Sequence, residues 1–163
     1  MTRETKTLLM IAFYGCTAGL LCGTDSAVAR QEPQLPADQL AYHDHPPREP
    51  LPPTLDPESF RQNRAAYVTY KLAAGLVHTL YQVPCYCPCR RGLGHESLLD
   101  CYASKHGERC PTCQREVLFC YREHKKGKSP AEIRAAMAKG KAAKLDLAKT
   151  VDRYYAEIER AQK

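Results

Sequence analysis

The placement of sulfur along this chain constrains its fold more than any other feature. Cys85-Tyr86-Cys87-Pro88-Cys89, an isolated Cys101 and Cys110-Pro111-Thr112-Cys113 all fall within the 29 residues from 85 to 113. Residues two apart in an extended chain point the same way, so Cys85, Cys87 and Cys89 share one face. Pro88, Gly92 and Gly94 keep Cys85–Gly94 from forming a regular helix. Three converging sulfurs pair awkwardly with one another as disulfides. They make a good soft-ligand platform, because thiolates favour copper(I) and zinc. A tetrahedral zinc needs one more ligand at about 2.0–2.3 Å.

Cys110 and Cys113 stand at the start of a predicted helix. Exposed amides and the helix dipole stabilise thiolate there, which suits a metal-ligand pair and a redox-active dithiol equally well. Cys120 lies two turns beyond Cys113 on the same helix face, either joining the site or filling core space. His95, in a glycine-rich loop beside the cysteines, is a candidate nitrogen ligand or else a helix-capping or core histidine. Cys101 can complete a four-sulfur site or bridge to another cysteine. His106 and His124, flanked by charges, are expected to face solvent, and His78 to sit in the core or at its boundary. The candidate metal ligands are therefore Cys85, Cys87, Cys89, His95, Cys101, Cys110 and Cys113. This pattern is a strong signal for a thiol-based site and does not separate metal from disulfide.

The N-terminal segment sets the compartment. Arg3 and Lys6 precede an uncharged, mostly apolar run, Leu8–Gly23, and Ala27-Val28-Ala29 supplies the small-x-small pattern that a signal peptidase cuts. Residues 1–29 read as a secretory signal, placing the protein in the periplasm or outside the cell. An uncleaved anchor is the alternative, although the run is short for a bilayer span. Cys16 follows Tyr14-Gly15 and Cys22 follows Leu20-Leu21, and neither makes a good lipid-attachment site. Membrane association is thus expected only through an uncleaved signal or a lipid anchor. Cleavage leaves seven cysteines, which cannot all pair within one chain. The net charge of +6 survives cleavage, and its excess sits after Tyr121, with 12 basic against 6 acidic residues. That tail reads as a solvated helix face, and export excludes nucleic acid as the expected partner.

Residues 30–57 hold eight prolines and read as a disordered linker, in which His43-Asp44-His45 is at most a weak divalent-ion site. Residues 58–140 form the expected cysteine-rich helical domain, and residues 141–163 an amphipathic C-terminal helix. Within them the periodicity predicts helices over Glu58–Gln82, Glu96–Ser104, Pro111–Lys125, Ser129 to about Gly140, and Ala142–Gln162. Val83-Pro84 ends the first, and Ser129-Pro130-Ala131-Glu132 opens the fourth as a capping box. The fold class expected is all-α, with about four to five helices around an irregular cysteine-rich loop.

At these residues the chain resembles the bacterial exported proteins named for a PCYCGC motif. The resemblance rests on Pro84-Cys85-Tyr86-Cys87-Pro88-Cys89, Gly94-His95-Glu96-Ser97-Leu98-Leu99-Asp100-Cys101, Cys110-Pro111-Thr112-Cys113 and Gly127-Lys128-Ser129 with Glu132-Ile133-Arg134. It spans roughly Tyr67 to Lys139. Pro88 stands where the motif has glycine, and the lipid-attachment signal of many members is missing. The resemblance implies an exported cysteine-rich domain and suggests metal binding. A looser similarity, over short stretches, is to cytochrome c maturation thiol reductases, which also place a C-x-x-C before a helix.

Three functional classes follow. The first is an exported copper(I) or zinc carrier, buffer or sensor, with a metal-transfer protein as partner. The second is a thiol–disulfide oxidoreductase in which Cys110 attacks and Cys113 resolves, with Cys85–Cys89 as a relay and a redox partner. It lacks the βαβ pattern of thioredoxins. The third is a small interaction domain stapled by disulfides or by one closed zinc. The sequence contains no glycine-rich phosphate loop, no H-E-x-x-H and no carboxylate pair placed for acid–base work.

Overall fold

The computed structural model describes residues 39–163 except Glu49 and Cys89, with the backbone alone described at Arg90. The expected export signal, Cys16, Cys22, Cys89 and the first part of the proline-rich segment lie outside the described residues. Among the described residues there are no strands. Seven α-helices occur: α1 (Arg64–Ala74), α2 (Val77–Tyr81), α3 (Arg90–Leu93), α4 (Leu98–Ala103), α5 (Pro111–His124), α6 (Pro130–Ala138) and α7 (Leu147–Ala161). Two 3-10 turns, Pro57–Phe60 and Lys105–Glu108, accompany them. No helix among the described residues is long and apolar enough to cross a membrane.

The all-α expectation holds, but seven helices replace the four to five expected. The single helix expected over Glu58–Gln82 is divided twice. Asn63 leaves helical geometry and caps α1, its side chain accepting from the Ala66 N–H at 3.2 Å. Gly75 then closes α1, and α2 restarts at Val77 without a side-chain cap. A further single turn, α3, forms inside the cysteine loop. The last helix begins at Leu147 rather than Ala142, because Gly140 adopts a left-handed φ of 69° and Asp146 accepts from the Lys149 N–H at 3.0 Å. Ala142 and Leu145 in that gap are buried at a spacing of three that runs on to Ala148, so the apolar pattern reads as continuous helix and hides the break.

Helix α5 is the hub of the core and packs against α1, α2, α4, α6 and α7. Val117, Leu118 and Phe119 are buried along it, as are Ala66, Tyr67, Val68 and Tyr70 along α1. Rings join α1 to the site-bearing segment. Tyr70 stacks on Phe60 at 4.1 Å and meets Tyr102 edge-on at 4.9 Å, and its hydroxyl donates to the Ser104 carbonyl. Leu40, Leu51 and Leu55 of the proline-rich stretch are partly buried against this core, and the Leu55 N–H donates to the Tyr102 carbonyl at 2.9 Å.

Candidate metal centre

Four local structures deliver the sulfur and imidazole groups. After α2 the chain passes through Pro84 without regular secondary structure, Cys85 and Cys87 are both buried, and the Cys87 N–H donates to Cys85 Sγ at 3.4 Å. The Leu98 N–H donates to the Val83 carbonyl at 2.9 Å and pins the start of this stretch to α4. Cys101 projects from α4, whose first turn is fixed by a capping box between Ser97 and Asp100. The 3-10 turn that follows carries His106. Cys110 is the N-cap of α5 and Cys113 lies in its first turn.

These side chains converge. Cys87, His106, Cys110 and Cys113 place one ligand atom each within 4.8 Å of the others, and so do Cys85, Cys101 and Cys113. The Cys110 thiol donates to Cys87 Sγ at 3.3 Å, the Cys113 thiol to Cys101 Sγ at 3.5 Å, and Cys85 and Cys113 also lie 3.5 Å apart. His95 Nδ1 sits 3.3 Å from Cys101 Sγ, and the rings of His95 and His106 meet edge-on at 5.3 Å. All five thiols are buried. Their separations exceed the S–S bond of about 2.05 Å, so they are thiols rather than disulfides. Sulfurs on a tetrahedral zinc with bonds of about 2.3 Å lie about 3.8 Å apart, so a few tenths of an ångström of expansion accommodates an ion.

The electrostatics favour shared protons. Thiol hydrogen bonds from Cys113 and Cys85 pull Cys101 down to about 7. A hydrogen bond with Cys113 likewise lowers Cys110, while Cys113, as the donor to Cys101 and Cys110, is pushed well above the ordinary thiol range. Glu116, one turn along α5 from Cys113, is fully enclosed. Burial and then the neighbouring Cys85 charge push its carboxyl far up. Its Oε1 accepts from the Tyr86 N–H at 2.8 Å, which holds the backbone between Cys85 and Cys87, and its Oε2 is buried without a partner.

Of the expected ligands, Cys85, Cys87, Cys101, Cys110 and Cys113 come together, with His95 at their edge. Cys89 falls outside the described residues. Cys120 does not join, its sulfur lying 3.9 Å from that of Met137. His43 stacks on Tyr81 at 3.9 Å, away from the thiols. His78 is exposed rather than buried, and His124 is exposed as expected. His106, expected to face solvent, instead belongs to the cluster. Its Nε2 is buried and has no hydrogen-bond partner, a lone pair suited to a metal ion. Gly107 makes this placement possible, because a Cβ there would meet Tyr102 and the Cys101 carbonyl. Glu116 carries no mark in the sequence that sets it apart as part of the site.

Fold and site together define a small helical protein built around a buried cluster of thiols and imidazole, able to coordinate a metal ion or to undergo thiol chemistry. The chain belongs to the PCYCGC family, described as proteins of unknown function with a PCYCGC motif, and the match covers residues 48–142. No curated protein and no solved structure matches significantly.

Proposed function

We propose that this is an exported binding protein for a soft metal ion, copper(I) or zinc, acting as a carrier, buffer or sensor. The observation that carries this reading is the set Cys87, His106, Cys110 and Cys113, a complete four-donor group with its ligand atoms mutually within 4.8 Å. Three cysteines and a histidine form one of the standard closed zinc donor sets, and the thiolate majority equally suits copper(I). Export rests on the sequence of residues 1–29 and defines where such a protein meets its metal and its transfer partner. The basic C-terminal helix stays a solvated face in this reading.

Thiol–disulfide exchange is the second reading, favoured by the lowered Cys110 thiol in contact with Cys87. Against it, Cys101 has the thiol held near neutrality yet is fully buried, so no substrate disulfide reaches it. The test is elemental analysis with thiol counting on the secreted chain, purified without oxygen from cells supplied with copper and zinc. Bound copper or zinc that is reduced in both Cys87→Ser and His106→Ala supports the metal reading. A metal-free protein with a reversible Cys110–Cys113 disulfide overturns it in favour of the oxidoreductase.

A further inference from the structure

Cys113 belongs to both ligand groups, and nothing in a single four-coordinate site requires that. The geometry points to a dinuclear centre in which the Cys113 thiolate bridges two ions, the second held by Cys85, Cys101 and Cys113 with His95 beside it. This deepens, and rests on, the metal-binding reading above.

Three observations lead there. First, Cys85 and Cys101 lie outside the Cys87–His106–Cys110–Cys113 group, yet each has its sulfur 3.5 Å from that of Cys113. Cys113 therefore faces sulfur from both sides. Second, the chain supplies its own comparison for a cysteine that merely fills space. Cys120 is as buried as Cys101, sits on the same helix as Cys113, and among the described residues has its sulfur against that of Met137 and in neither ligand group. Cys85 and Cys101 are placed differently, each in contact with another thiol.

Third, a single ion leaves sulfur over. An ion held by Cys87, His106, Cys110 and Cys113 leaves Cys85 and Cys101 outside its donor set, and a second ion would be met by Cys85, Cys101 and Cys113, three sulfurs within 4.8 Å. All five thiols are buried, and buried thiolates without a cation are costly. Three thiolates suit copper(I), and His95, 3.3 Å from Cys101 Sγ, provides the fourth donor that zinc requires. The edge-on contact between His95 and His106 places the two imidazoles side by side, one for each ion. Because both rings are only half-buried while the sulfurs are enclosed, the pair marks the side from which ions reach the thiols.

The experiment uses the secreted chain, reduced and metal-free, loaded anaerobically with zinc alone or copper(I) alone and counted by native mass spectrometry. Two ions per chain are expected in the wild type, one in Cys101→Ser and one in Cys87→Ser. Loading with cobalt(II) provides a readout that needs no variant. Two high-spin cobalt ions sharing a thiolate couple magnetically, so at two equivalents the paramagnetic signal per ion falls well below that of one-cobalt Cys101→Ser. A count of one in the wild type, unchanged in Cys101→Ser and lost in Cys87→Ser, overturns the second ion and leaves the four-donor site standing. Two ions with full, independent cobalt signals overturn the bridge. No bound ion with any of the three metals overturns the metal reading itself.

Discussion

Replacing Glu116 with glutamine tests the electrostatics of the centre without removing a ligand. The carboxyl is fully enclosed and its affinity for a proton is raised, first by burial and next by Cys85. An unfolded glutamate titrates near 4.5. As pH rises above that value the unfolded chain releases this proton while the folded chain keeps it. The stability of the metal-free protein therefore falls with pH until the folded carboxyl itself ionises. A whole proton of difference sets a ceiling of about 1.4 kcal/mol per pH unit across the window from about pH 5 to 6.5. The amide introduced by Glu116→Gln retains an oxygen for the Tyr86 N–H, which the carboxyl accepts at 2.8 Å, and it does not titrate. The window also ends below about 7, the midpoint of Cys101 ionisation. Urea unfolding of reduced, chelator-treated protein at four pH values measures the difference directly. Glu116→Gln should gain steadily on the wild type from the lowest pH to the highest, by at most about 1.4 kcal/mol per pH unit. A constant difference across the window would falsify the buried, proton-holding role of Glu116.

Other substitutions separate the site from its scaffold. Gly107→Ala places a Cβ 2.9 Å from Tyr102 Cε1 and 3.1 Å from the Cys101 carbonyl, so it should cost about 1–3 kcal/mol in urea unfolding and weaken metal binding by moving His106. Cys120→Ala should cost about 1–2 kcal/mol of stability from lost packing against Met137 and leave the number of bound ions unchanged. Ser129→Ala removes the acceptor that takes the Glu132 N–H at 3.3 Å, and a loss of about 1 kcal/mol with unaltered metal binding is expected.

What the sequence made legible was whatever depends on local rules. Pro111 after Cys110, and Ser129-Pro130 with Glu132, mark the starts of α5 and α6 because cap chemistry is encoded within four residues. The closely spaced Cys85 and Cys87 mark the site by sequence alone, and both are buried in it. The break at Asn63 is hidden, because Phe60 and Tyr67 continue the apolar spacing across it, and only the cap to the Ala66 N–H reveals the new start. His106 is hidden for a different reason. Its sequence neighbours Lys105 and Glu108 imply a wet surface, whereas its position follows from Gly107 packing on the ring of Tyr102, five residues upstream. The one available signal is a glycine directly after a histidine, just before Cys110 and the helix it opens. Glu116 resembles a solvent-facing charge within Gln114-Arg115-Glu116. Its spacing of three from Cys113 and four from Cys120 puts it on the sulfur-bearing face, and the burial of α5 on nearly every side makes that face interior.

The supports of the centre bear on how it would handle an ion. Each ligand-bearing segment is fixed to the first two turns of α5 by hydrogen bonds from residues outside the ligand set. Glu116 holds the Tyr86 N–H, and the Tyr102 hydroxyl donates to the Cys113 carbonyl at 2.9 Å. The Gln114 amide donates to the carbonyls of Gly107 and Glu108 at 3.1 and 2.9 Å, securing the turn that carries His106. Ligands held by their own supporting contacts keep their positions when the ion leaves. In a zinc finger the metal supplies the folding free energy, and removing it unfolds the chain. Here α1, α5 and α7 pack on one another, burying Tyr67, Val68 and Val117, and Gln114, Glu116 and Tyr102 tie the cysteine segments to that packed body. Such an arrangement lets an ion be taken up and surrendered without the cost of folding and unfolding, which favours a carrier, buffer or sensor over a structural staple.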